Sequence, residues 1–242
     1  MLLEALRDKW WNGVLGKKLE HEKIYVRRIK PREALGSPHQ KDFPLLKGHE
    51  VIVEAEFKGA FGQAFTDEPL NYEGSLESVY SIPLINNANR ALLVATINAT
   101  YKYLKLVDGT VHCRDEKPEL CGAKIVEYLK ARFPPETKIL MIGFQPAIAY
   151  NILKTFESFR VTDMDPLNIG QFKRGVFIES YKENKSAIAW CDVVLATGST
   201  IVNGSVDEIL ALSKGKKLIF YGVTIASAAY EFNLERLCLA SF

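Results

Sequence analysis

Leu2, Leu3, Leu6 and Trp10 fall on one face of a helix over residues 2–11, and this amphipathic stretch predicts a helix laid over a sheet, ended by Gly13 and Gly16. From Lys23 to Ile29 the residues alternate as in a strand. Pro31, Gly36 and Pro38 then predict a loop that carries His39. Val51 to Phe57 is a second strand, and Lys58-Gly59 turns it into a third over 61–66, so the two form a hairpin. Residues 67–75 are polar, with Pro69 and Gly74, and predict a surface loop. Residues 89–103 are apolar on more than one face and predict a buried helix. Asn98 is the odd polar position within it; its expected role is to satisfy neighbouring backbone in the core. A further helix is predicted from Glu119 to Phe133, with Pro118 near its start and Pro134-Pro135 ending it.

Beyond these prolines the pattern changes. Apolar runs at 138–142, 159–162, 176–179, 193–196 and 217–221 alternate with helical segments at 147–156, 184–190 and 206–213, a short turn at 226–230 and a last strand-like run at 236–240. Strands separated by short helices predict a doubly wound parallel sheet. The expected organisation is α/β: an α+β unit over 1–134, then a Rossmann-like parallel-sheet unit over 135–242.

One stretch gathers most of the candidate chemistry. Val193-Val194-Leu195-Ala196 has the length and β-branched content of a buried parallel strand. It breaks into Thr197-Gly198-Ser199-Thr200, runs through Asn203-Gly204, and re-enters a helix at Ser205, where Ser205 and Glu208 have capping-box spacing. Strand, hydroxyl-rich loop and helix start, in that order, predict a donor-lined crevice at the carboxyl edge of a sheet, suited to a phosphate, a carboxylate or another oxygen-rich group. The candidate ligand residues here are Thr197, Gly198, Ser199, Thr200 and Asn203, with Gly222 and Thr224 of the neighbouring strand end as a second wall.

The first strand-to-helix turn of the second unit, Gly143-Phe144-Gln145-Pro146, holds one glycine where a dinucleotide fingerprint has three. Gly143 and Gln145 are candidate contacts, although Gln145 blocks the close approach that a second glycine gives a pyrophosphate. Asp163 lies 20 residues after Gly143, the spacing of a ribose-binding acid, and Asp163 with Asp165 also forms a candidate pair for a hard cation.

Lysine and arginine number 31 against 29 acids, so no excess basic charge marks a nucleic-acid partner. No basic-then-apolar leader is evident and no apolar run reaches ~18 residues, so a soluble cytoplasmic protein is expected, with no membrane partner and with homo-oligomers allowed. The four cysteines form no CxxC pair, and His112-Cys113 with Cys121 fits no zinc spacing. The Lys-, Glu- and Arg-rich, Gln-poor balance is thermophile-like, under which a Cys113–Cys121 bridge stays open. No Walker sequence, GxSxG elbow or Ser/His/Asp order occurs.

ATGSTIVNGSVDEIL, with Phe220 to Ile225 and Phe232 to Leu237 after it, resembles an uncharacterised Rossmann-like family described as a heavy-metal chelation domain. Gly62 to Thr66 and Asn98-Ala99 resemble that family's companion domain, which has an enolase amino-terminal-like fold. The resemblance implies a small α+β domain packed on a Rossmann-like one, a site between them, and Asp67 near that site. This chain departs from the family at Tyr221-Gly222-Val223-Thr224, which lacks its proline-serine pattern. Three functions remain open: capture of a small anionic ligand or a metal complex, with a divalent or heavy metal as the implied cofactor; an enzyme using S-adenosylmethionine or NAD; and a non-catalytic interaction protein.

Overall fold

The computed structural model describes residues 1–37 and 50–241, so His39 and His49 lie outside the described residues. Four antiparallel strands make the first sheet, in the order β3-β2-β1-β4: β1 (Lys23–Ile29), β2 (Val51–Phe57), β3 (Ala60–Thr66) and β4 (Tyr72–Ser75). Helix α1 (Leu2–Gly16) buries Leu3, Leu6, Trp10 and Val14. It runs through Gly13 instead of stopping there, because Val14 extends the apolar stripe by one more turn. Two expected loops also hold structure. Pro31 opens a short helix, α2 (Pro31–Leu35), because a proline suits the first helical position. The polar stretch after Asp67 contains β4, which pairs with β1 and ends in α3 (Leu76–Tyr80).

The second sheet has seven strands in the order β11-β10-β9-β5-β6-β8-β7. They are β5 (Lys138–Ile142), β6 (Ser158–Asp163), β7 (Phe172–Lys173), β8 (Val176–Ser180), β9 (Val193–Thr197), β10 (Lys217–Tyr221) and β11 (Arg236–Leu237). Every pairing is parallel except the β7–β8 hairpin. The central strands read as unbroken apolar runs because both faces are covered. Ile139 and Met141 of β5 pack on one side with α5 (Lys117–Lys130) and α6 (Pro146–Leu153). Leu140 and Ile142 pack on the other, with α7 (Asn184–Trp190) and the helical turns after β9. Helix α5 therefore packs against α6 and the parallel sheet, although it precedes the prolines at 134–135.

Helix α4 (Asn87–Tyr103) joins the two halves. Every residue from Ala91 to Tyr101 is buried. One side of the helix lies on β2 and β3, and another meets α8 (Thr200–Asn203), so a single core runs from Val53 and Ala64 through Ile97 to Ala196 and Ile201. At one crossing the backbones nearly touch: a Cβ built on Gly62 would stand 2.2 Å from the amide nitrogen of Ala99.

Asn98 fills the role expected of it. Its amide donates to the carbonyls of Gln63 (3.0 Å), Val223 (3.3 Å) and Thr224 (3.3 Å). Its oxygen accepts from the Ser227 amide (3.1 Å) and hydroxyl (2.6 Å), at the start of α10 (Ala226–Glu231). The capping box expected at Ser205 does not form. Asn203 Oδ1 instead accepts from both the amide and the hydroxyl of Ser205, and Asp207, in the first turn of α9 (Val206–Leu212), accepts from the Leu2 amide.

Candidate functional site

The strand order reverses between β5 and β9, since later strands add to both sides of β5. Chains leaving such a switch point diverge and open a crevice at the carboxyl edge of the sheet. Gly143 leaves β5 there and Thr197 leaves β9. Their contact pinches the floor: Gly143 has φ of +87°, and a Cβ on it would lie 2.6 Å from Thr197 Cγ2. Tyr221 closes the floor from β10, donating its hydroxyl to the Gly143 carbonyl at 2.5 Å.

Most donors of the 197–203 loop are engaged within the fold. The Gly198 amide donates to the Tyr221 carbonyl (2.8 Å), and the buried Thr200 hydroxyl donates to the Thr197 carbonyl (2.8 Å). Asn203 caps toward Ser205 with its oxygen and sends its amide to Met164 Sδ at 3.2 Å. Thr224 is buried, and its hydroxyl accepts from the Phe65 amide at 3.1 Å. The Gly222 carbonyl accepts from Arg236 Nε at 2.8 Å. Gln145 spends its oxygen on the Ile148 amide (2.6 Å) as the N-cap of α6. What faces the crevice from this set is Ser199, 3.2 Å from the Thr197 hydroxyl and 3.3 Å from Glu50 Oε1.

Glu50, which precedes β2 and was not singled out in the sequence, also faces the crevice. The register Val51↔Thr66 sets it opposite Asp67 in the small sheet, and it reaches the second unit at Ser199. Burial, then the charges of Asp163, Asp165 and Asp67, push its carboxyl up to about 7, and the Ser199 hydroxyl offsets only part of that. A lone charge directly before a strand gives no local signal of this, because its setting comes from the packing of two distant segments.

Asp163 and Asp165 stand beside it on the loop after β6. Asp163 accepts from the Phe144 amide (2.7 Å), the Asp165 amide (2.7 Å) and the Asn168 side chain (3.3 Å). Burial raises its pKa, and those donors pull the other way. Asp165 accepts from the Leu167 amide at 2.9 Å. A ribose would therefore have to displace backbone donors from Asp163. Asp67 is exposed and accepts from the Asn87 side chain at 2.7 Å. Among the described residues Glu50 has no lysine or arginine partner, and Arg90 directs its guanidinium to the Val202 and Leu84 carbonyls and to Asn87. The crevice is acidic.

Residues 128–235 match the model of the family DUF364, whose description is "Putative heavy-metal chelation". This stretch is similar to DUF364 domains. Over most of its length the chain also has the fold of solved DUF364 proteins of unknown function. One, from Pyrococcus horikoshii, is 22% identical with a TM-score of 0.55, over 93% of this chain and 80% of that one. Another, from Desulfitobacterium hafniense, is 13% identical with a TM-score of 0.54, over 82% and 79%. No curated protein matches the sequence. Among the described residues no helix is long and apolar enough to cross a membrane.

His112 lies away from the crevice, with its ring edge-on to Phe65 at 5.5 Å between centroids. Among the described residues its Nδ1 is buried without a hydrogen-bond partner, and burial, offset in part by a backbone contact at Cys113, holds its pKa down at about 4. A histidine depressed from 6.5 favours the fold at neutral pH, and that contribution is lost as pH falls through about 4. Urea denaturation should show wild type losing about 3 kcal/mol more than His112→Leu between pH 7 and pH 4. Equal losses would contradict a neutral buried imidazole.

Proposed function

We propose that the crevice between the two sheets captures a cation, in the form of a metal complex, and that Glu50 exchanges its proton for the bound charge. The reading rests on one observation: a carboxyl raised to about 7 by burial and by three neighbouring acids, with the Ser199 hydroxyl as its hydrogen-bond partner among the described residues. A negative field of this kind repels anions, which moves the reading from an anionic ligand to a metal-bearing one. It agrees with the family description. The donors are carboxylate and hydroxyl oxygens, which suit hard or borderline cations better than soft ones. Among the described residues no three His, Cys, Asp or Glu side chains form a ready metal centre. A metal that brings its own chelator needs only one or two protein ligands. Among the described residues Glu50 is the carboxylate with no backbone amide to surrender, and Asp163 and Asp165 supply the field. The cytoplasm is the setting we expect.

Calorimetry with nickel chloride and with the cationic nickel diethylenetriamine complex tests this. At pH 6.5 binding of the complex should release protons, and Glu50→Gln should weaken it on the order of tenfold or more and abolish the release. Binding that ignores this substitution, or no binding of either probe, overturns the proposal. The free protein offers a second readout. A carboxyl held above its unfolded value lowers stability as pH rises from about 4.5 through about 7, so Glu50→Gln should be the more stable protein at pH 8, by up to about 3 kcal/mol, and equal to wild type below pH 4.

A further inference from the structure

The chain holds three methionines, and their settings differ. Met141 lies in β5 and is fully buried, Met1 is 78% exposed, and Met164 is 46% exposed at the carboxyl edge of the parallel sheet. Met164 sits between Asp163 and Asp165, directly after β6. Its backbone is held on both sides, since Asp163 accepts from the Asp165 amide at 2.7 Å and Asp165 from the Leu167 amide at 2.9 Å. Its sulfur accepts from the side-chain amide of Asn203, the last residue of α8, at 3.2 Å. That amide is aimed by the rest of its own group. Asn203 Oδ1 is taken by the Ser205 amide (3.0 Å) and hydroxyl (2.7 Å), which fixes the plane of the side chain. β6 and β9 flank β5 in the sheet, so the Asn203–Met164 bond spans the end of β5 and joins the loops on the two sides of the crevice. The acceptor in that bond is a thioether, which accepts weakly.

We propose that Met164 is an oxidative modification site whose sulfoxide fastens the loops after β6 and β9 to each other across the crevice. One oxygen passes from hydrogen peroxide to the sulfur: the S–O bond forms as the O–O bond breaks, and the remaining oxygen leaves as water with both protons. The sulfur gives up two electrons and the peroxide takes them. The solvent-facing lone pair of the sulfur receives the oxygen, and the rotatable bonds of an exposed methionine turn it to the waiting Asn203 amide. A weak contact to sulfur thereby becomes an N–H···O bond of ordinary strength. Oxidation disrupts a methionine packed in a core, and Met141, which is so packed, is shielded from peroxide. Methionine sulfoxide reductases return the sulfoxide to the thioether, so the tie is reversible. It belongs to the loops themselves and does not depend on what the crevice holds.

The test treats the full chain with hydrogen peroxide, maps oxygen uptake on tryptic peptides by mass spectrometry, and follows the Asn203 side-chain amide in nitrogen–proton correlation spectra. Cleavage sites place Met1, Met141 and Met164 on separate peptides, 1–7, 139–154 and 161–173. The expected result is one added oxygen on 161–173 and on 1–7, and none on 139–154. The Asn203 side-chain signals should move, and backbone hydrogen exchange should slow on the order of fivefold in the loops at 164–168 and 199–204. Treatment with methionine sulfoxide reductases should restore the starting spectrum. Met164→Leu, oxidised at Met1 alone, should show neither change. Asn203→Asp keeps an acceptor for Ser205 and loses the amide, so it should oxidise at Met164 without slower exchange. The inference is overturned if Met164 stays reduced while Met1 oxidises, if Met164 oxidises and the Asn203 signals do not move, or if exchange in the two loops stays the same or quickens.

Discussion

Gly62→Ala should destabilise the protein by at least about 4 kcal/mol and lower its melting temperature on the order of 10 °C. The new methyl carbon would meet only backbone: 2.2 Å from the Ala99 nitrogen, 2.5 Å from the Ala95 oxygen and 2.6 Å from the Asn98 carbonyl carbon. No side chain can swing aside to admit it. Helix α4 would have to lift off β3, yet its other side is packed against α8 and the core behind β9. Overpacking usually costs about 1–3 kcal/mol because neighbours adjust, and here the neighbours that must adjust join two halves of a core. Gly13→Ala is the control. Nothing lies within 4 Å of a Cβ there, the position is exposed and helical, and alanine should stabilise by up to about 1 kcal/mol. Chemical denaturation of both variants beside wild type checks the pair. A Gly62→Ala protein within 1 kcal/mol of wild type would show that α4 and β3 do not make this close approach.

The positions that decide this behaviour differ in how visible they are from the sequence. The period-two pattern of 23–29 and 51–66 and the apolar runs of the second half were readable because each reports its own burial. Strand β4 was not, because Tyr72 to Ser75 is polar and is strand only through pairing with β1. The placement of α5 was hidden for the same reason: Cys121, Ile125 and Leu129 make an apolar stripe, and a stripe does not say which sheet it covers. At the site, the loops at the carboxyl edge of the sheet were legible from the order of strand and helix, whereas the switch point follows only from the strand order of the fold. The accounting of donors was not. Thr200, Gly198 and Thr224 carry the right chemistry, yet each is spent on a partner that is near only in the folded state. Glu50 is the converse. It carries an ordinary charge in an ordinary place, and only the approach of Asp163, Asp165 and Ser199 from another segment makes it unusual.

Asn98→Leu, close in size to the wild-type residue, should cost about 3–5 kcal/mol, because it removes bonds without opening a cavity of any size. The asparagine satisfies two donors of Ser227 and three carbonyls, on Gln63, Val223 and Thr224. Asn98 and Ser227 are fully buried, so water cannot replace what leucine withdraws. The loss also reaches the crevice. Val223 and Thr224 follow Tyr221, which closes its floor, and Asn98 ties that turn to β3 together with the bond from the Phe65 amide to the Thr224 hydroxyl. Asn98→Asp separates the hydrogen-bond argument from packing. It keeps the acceptor for Ser227 and loses the amide donors, and its charge would sit in an apolar core. A carboxyl so placed has its pKa raised, so its protonated form can still donate one bond. Asn98→Asp should therefore be markedly less stable at pH 8 than at pH 5 relative to wild type, while the deficit of Asn98→Leu stays constant with pH. A pH-independent deficit in the aspartate variant would mean that position 98 acts by shape, and that the tie between the two halves lies elsewhere.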